Sequence, residues 1–206
     1  MNETTKTFLI AVGVIVGAFA AIVLWSYMSG PETKSYNNFE FTKQGPIWVT
    51  EASKNGQPYK LPFHYHSSAV EDVAAPSGIE QPLLRASMRD TNATVFVTVP
   101  PTLSSKAVIA GVEISRLTGS RYKILNLTTH GALTAKPDNP SASAPRPVVT
   151  CEQASYNNTF VIRIRKGPNN VITRADNGCI ILEGKTDEDI IRVADRFAYM
   201  LLGIME

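Results

Sequence analysis

The chain has 206 residues, 44% of them hydrophobic, 18% charged and 8% aromatic, a balance that suits one folded domain and excludes a disordered tail or linker. Its formal charge is +2, from 20 Lys and Arg against 18 Asp and Glu, with no basic block to neutralise a row of phosphates, so no nucleic-acid partner is expected. Two cysteines and the scattered histidines His64, His66 and His130 make no finger or ribbon spacing for zinc.

Residues 1–7 form a short polar tail. Phe8 to Met28 (FLIAVGVIVGAFAAIVLWSYM) then runs 21 residues without a charge. A helix of that length, rising about 1.5 Å per residue, spans the ~30 Å hydrocarbon core of a bilayer. Trp25 and Tyr27 suit the headgroup layer, and Ser29-Gly30-Pro31 stops the helix. The rival reading is a signal peptide cut after Ala18-Phe19-Ala20. Cutting there would leave AIVLWSYM as an apolar new N-terminus, and Lys6 alone supplies the positive flank, so an uncleaved single-pass anchor is expected. Flanking charge does not decide its orientation, because Glu3 offsets Lys6 on one side while Glu32 and Glu40 offset Lys34 and Lys43 on the other. Gly13, Gly17 and Ala21 make a small-residue stripe suited to close helix–helix contact, and hence to self-association in lipid.

Residues 29–36 read as a tether and 37–206 as one α/β domain. Asn38–Lys43, Pro46–Ala52 and Pro58–Tyr65 make a β-meander, with Asn55-Gly56 as a hairpin turn. Residues 66–92 lack periodicity and hold Pro76, Gly78 and Pro82, so a long connection with at most one helical turn is expected. Next come a strand at Thr94–Val99, a helix capped by Thr102 or Ser104 and running to Leu117 with Gly119 after it, and a strand at Tyr122–Thr128. Such a unit makes a right-handed crossover onto a parallel sheet, its helix apolar almost all round through Val108, Ile109, Val112 and Ile114.

Four prolines mark 131–147 as an exposed loop. Strands follow at Thr159–Arg165, Val171–Arg174 and Cys179–Leu182, and a last helix starts at Thr186, whose hydroxyl caps Asp189, with Ile190, Ala194, Phe197 and Leu201 on one face and Gly203 ending it. The expected fold is therefore α/β: a transmembrane helix, a preceding meander, a mixed and partly parallel sheet, and two main packing helices.

Each chemical motif competes with a plainer reading. His64 and His66, two apart on a strand and followed by Glu71 and Asp72, have metal-site spacing, but lack a third histidine nearby. Gly184-Lys185-Thr186 resembles the end of a phosphate loop, yet position 179 is Cys where the first Gly should stand, which leaves a turn and a helix cap. Ser104, Ser105 and Lys106 sit at a strand-to-helix junction without the nucleophile-elbow glycines. Cys151 with His130 could form a nucleophile pair, but pairing of Cys151 with Cys179 is simpler, since both flank predicted strands. A disulfide implies an oxidising compartment, hence an extracytoplasmic domain and a cytoplasmic N-terminus at the plasma membrane. Of the glycosylation sequons, those at Asn92, Asn126 and Asn157 lie on the domain side, and Asn126 falls in a predicted strand where a glycan needs an exposed edge.

The segments NNFEFTKQGPIWVT and CIILEGKTDEDIIRVADRFAYMLLGIM resemble those of small single-pass membrane proteins from archaea that carry no assigned activity. The resemblance implies a cell-surface protein and transfers no catalytic residue. Two functions stay open: a membrane-anchored extracytoplasmic binding or scaffold module of a cell-envelope assembly, with lipid and an envelope protein or a second copy as partners and no cofactor, or a membrane-tethered metal-dependent hydrolase using His64 and His66. The first is the expectation.

Overall fold

The computed structural model describes residues 2–28, 30–54, 56–89, 92–137, 146–155, 158–175 and 177–206. It separates into two compact units, Met1–Thr33 and Lys34–Glu206. In the first, helix α1 (Glu3–Met28) runs 26 residues. Its Glu3–Trp25 portion holds an 18-residue window with a mean hydropathy of 2.7 and is long and apolar enough to cross a membrane. The Gly13, Gly17 and Ala21 stripe is exposed along it.

The second unit is α/β. Strands β1 (Thr33–Tyr36), β2 (Phe39–Gln44), β3 (Ile47–Lys54) and β4 (Gln57–Phe63) form an antiparallel sheet in sequence order. The register pairs Phe41 with Thr50 and Trp48 with Phe63, and Phe41, Trp48, Leu61 and Phe63 are buried. Strands β5 (Thr94–Val99), β6 (Thr128–Leu133), β7 (Thr159–Lys166), β8 (Val171–Arg174) and β9 (Ile180–Gly184) form a second sheet in the order β6-β5-β7-β9-β8. All its neighbours are parallel except β8, which runs antiparallel to β9.

Helices α3 (Ser105–Thr118) and α4 (Asp187–Leu201) pack on each other and on this sheet. Period-2 alternation puts Val95, Val97 and Val99 of β5 and Ile162 and Ile164 of β7 into the main core. The intervening Phe96 and Val161 join a smaller cluster on the other face around Cys151 and Cys179. Ten of the fifteen α4 residues are buried, so this helix lies inside the domain rather than on it. Phe41 and Phe63 of the meander meet Tyr199 of α4 at ring-centroid distances of 5.7 and 4.5 Å.

The α4 cap is as expected: Thr186 accepts from the Asp189 N–H, and Asp189 reaches back to the Thr186 N–H. Ser104 is the residue that caps α3. Four readings need correction. Tyr122–Leu127 is a connection and not a strand, because its N–H groups close the end of α3 instead of a ladder: Leu125 N donates to Leu117 O and Leu127 N to Thr118 O, with Lys123 and Asn126 at φ of 52° and 55°. Residues 81–88 form a full helix, α2 (Gln81–Met88), since Pro82 sits in its first turn, where a missing N–H costs nothing. The tether contains β1, turned back by Asn37-Asn38 at φ of 44° and 66°. Helix α3 is not apolar-covered all round, for Val112 is 44% exposed.

A Cβ on Gly184 would lie 2.4 Å from the Ile190 backbone nitrogen, whereas one on Gly131 would meet nothing within 4 Å. Gly184→Ala is expected to lose about 1–3 kcal/mol in chemical denaturation, and Gly131→Ala to stay within about 0.5 kcal/mol of the parent. Equal effects of the two would contradict the close approach of β9 to α4.

Candidate functional site

Helix α4 carries one acid, Asp195, in its apolar interior, and the side chain is fully buried. Its Oδ2 accepts the backbone N–H groups of Tyr65 at 2.8 Å and of His64 at 3.1 Å, just beyond the end of β4. Facing it is Glu113, the one buried acid of α3. Glu113 Oε1 lies 2.6 Å from His64 Nδ1. Asp195 Oδ1 and Glu113 Oε2 have no N–H or O–H donor among the described residues. A single proton shared between the two carboxyls satisfies both.

Burial, and then the charge of Glu113, push the Asp195 carboxyl well above the usual carboxylate range. The hydrogen bond to Glu113 raises His64 above the ordinary imidazole value, against the opposing effect of partial burial and of Arg116 and Lys106. The result is a chain of carboxyl, carboxylate and imidazole that runs from the core to a ring about one-third exposed. Beside it, Tyr199 donates its hydroxyl to Tyr65 O at 2.5 Å, which ties α4 to the same stretch of backbone.

The chain orients an imidazole as acid–base sites do. No Ser, Thr or Cys side chain bonds to His64 among the described residues, so it lacks a nucleophile. His66 lies elsewhere. It is buried against Phe41 and Trp48 at 4.8 and 4.9 Å, and its Nδ1 accepts the Ser68 N–H as the cap of a 3-10 turn, Ser67–Val70. The proposed accessory ligands are also engaged, Asp72 with Arg192 at 2.6 Å and Glu71 with the Tyr36 hydroxyl. Among the described residues no three His, Cys, Asp or Glu side chains converge as a metal site.

Cys151 and Cys179 are bonded, with Cα atoms 5.3 Å apart. Cys179 precedes β9 as expected, but Cys151 opens a 3-10 turn, Cys151–Gln153, rather than flanking a strand. Ser104 donates to Asp187 Oδ2 at 2.6 Å while accepting the Ala107 N–H, a helix cap and not an activated hydroxyl. At Gly184-Lys185-Thr186 the Lys185 N–H is taken by Asn170, so the turn presents no open anion cradle there. Asn92 and Asn126 are exposed, and Asn157 lies outside the described residues.

A feature absent from the motif reading is a trough beside the edge strand β6. Val97, Val99 and Gly131 line its base, α3 forms one wall through Val108, Gly111 and Val112, and Arg116, Arg121 and Arg146 stand around it. Its volume is about 490 Å³, and it continues through Ser115, Arg121 and Gly131 into a second, more polar hollow of about 550 Å³. The two buried acids leave a sequence signal, each a single carboxylate inside an apolar helical run; the trough leaves none, because its arginines come from three separate segments.

No protein family, curated protein or solved structure matches this chain.

Asp195 and His64 both hold their protons more tightly in the fold than in the unfolded chain. Their stabilisation is full below the ordinary carboxylate and imidazole values and is lost as pH rises through the raised ones. The full chain in detergent is therefore expected to melt at a lower temperature near pH 8.5 than near pH 5.5. Asp195→Asn keeps both backbone acceptor contacts and offers Glu113 an N–H, so it should flatten that slope. Asp195→Ala strands two buried N–H groups and should cost about 2–4 kcal/mol. A parallel pH profile in Asp195→Asn would refute the shared proton.

Proposed function

We propose that the chain is a membrane-anchored module whose α/β domain lies outside the cytoplasm and works by binding within a cell-envelope assembly. The observation that carries this reading is the Glu3–Trp25 helix, whose exposed apolar surface needs a bilayer around it. The Cys151–Cys179 disulfide supports an oxidising compartment for the domain and hence a cytoplasmic N-terminus. Binding is favoured over catalysis because no nucleophile bonds to His64 among the described residues and the two histidines have different partners. The exposed Gly13, Gly17 and Ala21 stripe is the surface through which two anchors would associate.

Full-length chain expressed with its N-terminus intact is expected to stay in the membrane pellet after an alkaline wash. Its mass should equal that of the unprocessed chain, and its domain should be digested by protease added outside sealed cells. A chain starting at Ala21, or a domain protected from external protease, would contradict the reading. Replacing Gly13 and Gly17 by Leu should abolish crosslinked dimers while leaving membrane insertion intact.

A further inference from the structure

We propose that the trough between α3 and β6 is the binding site of this module, and that its ligand is a small organic anion: a phosphate or carboxylate carried on an apolar body. The inference rests on the binding reading above and adds the ligand class to it.

The trough exists because of two local choices in the sequence. On β6, the residue opposite Val97 is Gly131, and a Cβ there would meet nothing within 4 Å, so the strand offers bare backbone where a side chain would fill the space. Over it, α3 leaves Val112 44% exposed, a large apolar side chain in an otherwise ordinary helix surface. A ligand body laid on Gly131 and against Val112 would remove apolar surface from water, the usual source of affinity in a concave site of this size.

Charge then selects the ligand. Arg116 leaves α3 in its last turn, Arg121 follows two residues after Gly119, and Arg146 approaches from the segment that rejoins β6. Among the described residues none of the three takes part in an ion pair, although the domain pairs Arg165 and Arg192 with acids elsewhere. Among the described residues no acid lines the trough, and its remaining side-chain polar group is the Ser115 hydroxyl. Three arginines around an apolar base suit a planar or tetrahedral oxyanion, which a guanidinium can grip through two N–H groups.

An extended peptide added to the β6 edge fits less well. Leu133 already donates to Pro147 O at 2.9 Å and accepts from Val149 N at 2.8 Å, so the end of that edge is closed by the chain itself. The opening that remains is the trough above the sheet face, which suits a compact ligand.

The test uses the full chain in nanodiscs of zwitterionic phosphatidylcholine, titrated with 1-naphthyl phosphate and 1-naphthoate, with 1-naphthol and inorganic phosphate as single-feature controls. Saturable binding of either anion, at least tenfold tighter than both controls, is expected. Arg116→Gln with Arg121→Gln should weaken it tenfold or more. Gly131→Leu should abolish it by filling the trough, with a melting temperature close to that of the parent. No saturable binding, equal binding of 1-naphthol, equal binding of inorganic phosphate, or full binding by a folded Gly131→Leu variant would each overturn the proposal. Membrane retention of the same preparations is scored separately, so a failure of anchoring is distinguishable from a failure of the ligand site.

Discussion

One buried carboxyl holds three parts of the domain together. Asp195 lies inside α4, takes the backbone N–H groups of His64 and Tyr65 just past the meander, and makes a side-chain hydrogen bond with Glu113 of α3. A carboxyl in that position is expensive to bury unless every lone pair and proton has a partner. Here one oxygen is satisfied by two backbone donors and the other by the Glu113 carboxylate, so the polar cost is offset while the meander, α3 and α4 are fixed to each other. Replacing the pair with apolar side chains would keep the volume but lose the directional link to the His64–Tyr65 backbone.

The same link bears on the proposed binding surface. Glu113 points inward to Asp195 and His64, which draws α3 against α4. Helix α3 packs over β5 and the edge strand β6 and leaves part of β6 uncovered. Gly131 keeps that uncovered strand bare, and the arginines gather around the gap. The disulfide acts on the opposite face, where Cys151 and Cys179 sit in the small cluster with Ala132, Val149 and Val161. It closes a loop of 28 residues of sequence separation, which the chain-entropy account values at about 3–4 kcal/mol.

Much of this architecture is legible in the residues. Period-2 runs such as TVFVTV and TFVIRIR mark β5 and β7, and Thr186 with Asp189 marks the start of α4, because these signals depend on neighbours in sequence. The misreadings share a cause. Tyr122–Leu127 has strand-like composition, but its N–H groups are spent on α3 carbonyls, a use that only the tertiary arrangement reveals. Pro82 looks like a helix breaker until its first-turn position is known. His64 and His66 share a spacing but not an environment, since β4 ends at Phe63 and His66 already caps a 3-10 turn. The trough arginines, from α3, the turn after it and the return to β6, are joined only by folding.

The central claim is most directly tested by carbon NMR of the carboxyl groups in aspartate-labelled full-length protein, with the Asp195 signal identified by its loss in Asp195→Asn. The account predicts that this signal keeps the chemical shift of a protonated carboxyl at neutral pH. Ordinary titration of Asp195 near the usual aspartate value of about 3.9 would contradict it.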